Sequence, residues 1–225
     1  SSSFGMSTRL FGLGSSFVPF YSRRVGLYDG ALVPIDGGVK VLGRAGPLGI
    51  AVLDVETRST DAVPRTNLFA GRITYDVDSH LRVGTIVTNG DPGGTRDNTL
   101  VGFDAIWRTS ALAGNKNFAV GLWGAGSTGD VGPGKRTGWG LKVDYPNDLW
   151  DLWAIYRELG DSLVPALGFV PRPGTRQYDV GGAYQPRPKD GPFRWARQFF
   201  FELEGIAVTD LSNRTQSWEV FTAPF

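Results

Sequence analysis

The sequence predicts an all-β protein of antiparallel strands, and three observations carry that expectation. Glycine supplies 32 and proline 14 of the 225 residues, so turns are frequent. From Val39 onward, short runs alternate apolar and polar side chains with a period of two, the spacing of a strand with two unlike faces. Turn residues separate these runs, and only one segment carries a competing helical periodicity.

Composition removes several other classes. A hydrophobic content of 41% with 20% charged residues excludes a disordered chain. No apolar run approaches the ~18 residues of a transmembrane helix. Cysteine is absent and His80 is the one histidine. Disulfide scaffolds, cysteine-based zinc sites, thiol nucleophiles and two-histidine mechanisms therefore drop out. No metal, cofactor or catalytic residue is implied. A net charge of +1 argues against a nucleic-acid partner. The opening SSSFGMSTRL lacks the charged and apolar regions of a signal peptide and an initiator methionine. It reads as a mature protein, a fragment or an excised domain, and says nothing about export.

Residues 1–37 read as an irregular segment leading into one domain over 38–225. Strands are expected at 39–44, 47–56, 68–77, 80–88, 99–108, 117–125, 137–145, 148–157, 176–184, 195–206 and 215–222. Successive strand side chains point to opposite faces. Val101, Phe103, Ala105 and Trp107 thus share one face, opposite Gly102, Asp104 and Arg108. Trp139, Leu141, Val143 and Tyr145 oppose Gly138, Gly140, Lys142 and Asp144. Phe69, Ile73, Tyr75 and Val77 oppose Arg72, Thr74 and Asp76, while Phe199, Phe201 and Leu203 oppose Glu202 and Glu204. One face carries no charge; the other mixes glycine with acidic and basic residues. In NDLWDLWAIYREL, Leu149, Leu152, Trp153 and Tyr156 also fit helical spacing behind an Asn147 or Asp148 cap, so a helix competes there.

The alternation fits two architectures. A soluble sandwich buries its apolar face, whereas an outer-membrane barrel turns it to lipid. The connections alternate short and long over four hairpins, the habit of an up-and-down membrane barrel. Tyrosine and tryptophan bracket the apolar face, as in Trp139 with Tyr145 and Tyr178 with Tyr184, like interfacial girdles. Six residues span only about 20 Å, somewhat less than a ~25 Å apolar band. The barrel is the favoured expectation and the soluble fold stays open beside it.

Several motifs read as structure. GAGSTG (124–129) spells a dinucleotide fingerprint, but DVGPGKR after it cannot form the required helix. GDVGPGKR (129–136) misses a phosphate loop, because Arg136 replaces the magnesium-binding hydroxyl. NGDPGGTRDN (89–98) offers oxygens for calcium, yet uses ordinary turn residues. Glu202 and Glu204, about 7 Å apart on one face, suit a glycosidase pair; charge pairing with Arg197 and its neighbours is the simpler reading. Asp54/Glu56 form a similar pair, and His80 reads as a turn residue.

Five strings resemble one family together: FYSRRVGL (20–27), VKVLGRAGPLGIAVLDVET (39–57), GTIVTNGD (84–91), NTLVGFDAIWR (98–108) and PALGFVPRPGTRQYDVGGAYQPRP (165–188). The set is similar to an uncharacterised bacterial family in which a family 9-like carbohydrate-binding domain precedes an outer-membrane β-barrel domain. The likeness is to the barrel domain and carries Arg23, Arg24, Arg44 and Arg172 as motif positions. It implies strand rather than helix over 148–157, and a barrel longer than this one, so the chain reads as truncated. Phe225 resembles the aromatic ending of outer-membrane proteins, although Pro224 suits a closing strand poorly.

The resulting expectation is an antiparallel up-and-down transmembrane barrel in the bacterial outer membrane. Its partners would be lipid and, through a domain absent from this chain, carbohydrate. Its role would be that of a surface protein or small-solute channel without chemistry of its own. Arg72, Asp76, Arg82, Asp104, Arg108, Lys142, Asp144, Glu202 and Glu204 would line the lumen, mutually paired. A glycosidase-like hydrolase using lumenal carboxylates and a soluble ligand-binding sandwich are the alternatives.

Overall fold

A computed structural model of the chain describes residues 17–224. The opening SSSFGMSTRL and Phe225 lie outside the described residues. A 3-10 turn at Ser22–Arg24 precedes a small ribbon of β1 (Leu27–Tyr28) and β2 (Ala31–Leu32). Then follow β3 (Ile35–Ala45), β4 (Leu48–Thr57), β5 (Thr66–Asp76), β6 (Leu81–Asn89) and β7 (Asn98–Leu112). The series continues with β8 (Lys116–Gly129), β9 (Thr137–Pro146), β10 (Trp150–Leu159), β11 (Thr175–Tyr184), β12 (Phe201–Asp210) and β13 (Thr215–Pro224). Strands β3 to β13 form one 11-stranded sheet in sequence order, every pair antiparallel. The chain is all-β with an up-and-down topology, and β3 and β13 are its two edges.

Two expectations about elements change, and at 148–157 the expected strand stands. The segment before the domain holds the β1–β2 ribbon, and β3 begins at Ile35. The helical competitor is absent, because β9 and β11 both offer β10 a continuous ladder. Trp150, Leu152, Ala154 and Tyr156 then share a face with Tyr145, Val143 and Leu141. The strand expected at 195–206 starts only at Phe201. Gly191 and Phe193 carbonyls accept turn bonds from Arg194 and Ala196, and Phe199 packs edge-on to Phe193 and Trp195. Local aromatic packing thus keeps Phe199 in the connection.

Connections at one end of the sheet are short: 46–47, 77–80, 113–115 and 147–149. Those at the other end are longer: 58–65, 90–97, 130–136 and 160–174. The rhythm inverts at the last two, where 185–200 joins the short end and 211–214 the long end.

The register sorts the side chains. On the outer face, positions such as Ile50, Ile73, Phe103, Leu122, Leu141, Leu152, Val180 and Leu203 form an uncharged belt across the sheet. None of the described residues covers it: Val39 is 62% exposed, Val180 60%, Leu203 62% and Trp218 74%. Toward the long connections the belt gives way to polar residues, among them Asp54, Asn67, Thr99, Glu158 and Arg176. There Glu158 is bridged by Lys135 and Arg176.

The core lies on the opposite, inner face, toward the long connections. Leu68, Ala70, Ile86, Leu100, Trp123 and Leu159 are buried under Phe17, Phe20, Leu163 and Leu167. Phe17 stacks on Trp123 with centroids 5.0 Å apart. Val18 and Phe169 exchange backbone hydrogen bonds of 2.9 and 2.7 Å, joining the N-terminal segment to the 160–174 connection.

Candidate functional site: the inner face of the sheet

All nine charged residues expected on the polar side occupy the inner face, on β5, β6, β7, β9 and β12. Arg72 and Asp104 form a buried pair, 3% and 2% exposed, with Nη2 donating to Oδ1 at 2.9 Å. They sit two strands apart, on β5 and β7, with Gly84 of β6 opposite Asp104 between them. A Cβ on Gly84 would lie 2.7 Å from Arg72 Nη2, so the missing side chain lets the guanidinium cross the sheet. This is why glycine interrupts a strand there, where it otherwise weakens one. Gly140 likewise leaves room for the Trp123 indole.

Nearer the short connections, Asp76 is bridged by Arg82 and by Arg44. Arg44, singled out as a motif residue, therefore belongs to this face. Lys142 holds Asp144 at 3.1 Å. Arg108 differs: its side chain is exposed and has no carboxylate partner among the described residues.

Pairing stops at the far side of the sheet. Glu202 and Glu204 stand opposite Ala183 and Gly181 of β11. No ion pair joins them to Arg197 or any other cation among the described residues. Asp179 and Glu219 share the face with them, and Asp179 accepts the Trp153 indole N–H at 3.0 Å. Inner positions of β11, β12 and β13 carry no lysine or arginine, so the mutual pairing expected of Glu202 and Glu204 does not occur. Glu204 lies within hydrogen-bonding reach of Asp179 instead.

The other motif arginines lie at the long-connection end. Arg24 Nη1 donates to the Ala166 carbonyl at 3.4 Å, and Arg23 is exposed beside it. Arg172 reaches β13, with Nη1 to Ser217 Oγ at 3.2 Å and Nη2 to Gln216 Oε1 at 2.8 Å. Two residues that the sequence places only in local loop or glycine motifs hold the inner connection in place. Buried Asn98 donates to the Val164 carbonyl at 2.9 Å and accepts the Ala166 N–H at 3.1 Å. Buried Ser127 accepts the Val164 N–H at 3.0 Å. Asn98 read as one of several turn residues; only its long-range partners distinguish it.

The remaining motifs resolve structurally. GAGSTG lies within β8 and has no helix behind it. In GDVGPGKR, Lys135 pairs with Glu158 and Arg136 Nη2 donates to the Val131 carbonyl at 3.3 Å. In the 90–97 connection Asp91 is buried near Arg96, and Asp97 N–H donates to Asp130 at 2.9 Å. No cluster of three potential metal ligands occurs among the described residues. His80 closes the 77–80 turn, its Nδ1 3.0 Å from Ser79 Oγ. Asp78 Oδ1 accepts the backbone N–H of His80 at 2.6 Å and of Leu81 at 2.8 Å, which holds its carboxyl below the ordinary aspartate range.

Two adjoining cavities open at the short-connection end. The larger, about 630 Å³, is bounded by His80, Ile106, Arg108, Ala119, Asp144 and neighbours. The smaller, about 240 Å³, shares His80, Ile106 and Arg108 and extends to Asp76 and Arg82. Neither reaches Glu202 or Glu204. No family model, curated protein or solved structure matches this chain.

Proposed function

We propose that this chain is the barrel-forming part of a bacterial outer-membrane protein of the family it resembles, with its outer face to lipid and its inner face to a lumen. The observation that carries this reading is the uncharged belt of the outer face, which crosses all 11 strands and which no described residue covers. A soluble monomer seldom exposes a contiguous apolar patch beyond a few hundred Å², whereas a membrane barrel requires one. Trp139, Tyr178 and Tyr184 then sit where interfacial aromatics belong. Phe103, Trp139, Leu141 and Phe201, which a sandwich would bury, are 54%, 45%, 38% and 45% exposed.

The same reading assigns the protein a binding or surface role without chemistry of its own. The N-terminal segment and the 160–174 connection fill the inner face toward the long connections, leaving a vestibule at the other end. Transport of a small solute would then require that filling to move. The link to carbohydrate rests on the resemblance alone.

Lipid vesicles carrying brominated acyl chains test the reading. Trp139 and Trp218 fluorescence should be quenched, and Val180→Arg should cost about 2–4 kcal/mol of stability in the bilayer. A chain that is monomeric and monodisperse in plain buffer, with unquenched tryptophans, overturns it.

A further inference from the structure

The geometry points to the larger cavity as a binding site for a small hydroxylated carboxylate, with Arg108 as the residue that takes its anionic group. At about 630 Å³ the cavity has the size of a small-molecule pocket. Its floor is a single row across three strands: Arg108 on β7 faces Ala119 on β8, and Ala119 faces Asp144 on β9. Two interstrand steps place the Cα atoms of the two charged residues about 9–10 Å apart. The alanine between them leaves the space above the row open.

The charges on either side of the row have unlike tasks. Arg72 is satisfied by Asp104, Arg82 and Arg44 by Asp76, and Asp144 by Lys142. Arg108 alone of these cations lacks an acid, so the cavity carries one uncompensated positive charge among its described residues. A guanidinium presents a planar fork of donors suited to a carboxylate. Asp144, already neutralised by Lys142, has no need of a ligand cation. Its carboxylate oxygens remain acceptors for hydroxyl groups. Ser79 and Ser110 add neutral hydroxyls at the rim, and Ile106 supplies an apolar wall. One anionic head and several hydroxyls on a chain of a few carbons meet these requirements together.

The charged floor of the cavity lies on the inner face, so the inference stands or falls separately from the lipid contact of the outer one. Calorimetric titration of the full chain, in whichever of buffer or detergent keeps it monomeric, tests it. Three probes separate its parts: gluconate, glucose with hydroxyls but no carboxylate, and butyrate with a carboxylate but no hydroxyls. Gluconate should bind saturably, butyrate at least tenfold more weakly, and glucose not measurably. Arg108→Gln should weaken gluconate about 10- to 100-fold, the loss expected for a hydrogen-bonded charge. Asp144→Asn should weaken gluconate severalfold and leave butyrate unchanged. Arg108 is exposed, so its replacement should leave the near-ultraviolet dichroism unaltered. No saturable gluconate binding, equal binding of glucose, or unchanged affinity in Arg108→Gln overturns the proposal.

Discussion

The two ends of the inner face are made from the same strands with the same alternation, yet they are completed in opposite ways. Toward the long connections, inner positions are Leu68, Ile86, Leu100 and Trp123, and the chain folds back over them. Toward the short connections they are Asp76, Arg82, Arg108 and Asp144, and no described segment folds over them. Apolar side chains on this face gain by recruiting a cover, because burial contributes about 25 cal/mol per Å². Charged ones lose by it unless each finds a partner. Covering one end and opening the other is therefore written into the residue types along each strand.

The largest expected effect comes from the boundary between the two ends, where Arg72 and Asp104 are buried together. Asp104→Ala strands a guanidinium away from water and should cost about 3–5 kcal/mol. Replacing both by leucine or methionine should recover most of that loss. Denaturant titration of the single and double variants measures this, and equal losses would break the account.

A smaller effect is expected within the covered end. Asn98→Ala removes both bonds to the 160–174 connection and leaves the Val164 carbonyl and Ala166 N–H without their partner. The cost should be about 1–3 kcal/mol, with faster proteolysis between 160 and 174. Unchanged cleavage would show that the apolar contacts of Phe17 and Leu167 suffice alone.

The smallest effect belongs to the open end. Asp78 has its carboxyl held down by two backbone N–H groups, so its folded form binds a proton less readily than its unfolded one. The stability it contributes is complete above about pH 3.9 and is lost as pH falls through the lower folded value. Amide exchange at His80 and Leu81 should quicken in that acid window and, in Asp78→Ala, show no such dependence.

Most of the sheet was legible because a period of two is local information. Register then needs only the rule that unlike faces stay apart, which is why Arg72, Asp76, Arg82 and Asp104 fell on one side. The cover was not legible. Phe17, Leu163 and Leu167 belong to segments without periodicity, and nothing in their order says that they meet Trp123. Asn98 was hidden for the same reason, since an asparagine before a strand looks like any turn residue. The 195–200 segment misled differently: alternation continued through Phe199, while three aromatic rings found each other first. Charge partners also escaped the pattern. Face membership was readable, but whether Glu204 or Arg108 finds an opposite charge depends on neighbours several strands away.

An all-antiparallel meander reverses direction at every step, and ten steps separate β3 from β13. Ten is even, so the two edges run the same way. Zipping them directly would create a parallel ladder, with slanted and slightly weaker bonds, beside ten antiparallel ones. A seam built wholly of antiparallel ladders must instead admit a strand of opposite heading, or any odd number of them. The joint that would turn this sheet into a cylinder is thus governed by a parity rule that none of its existing interfaces has to obey.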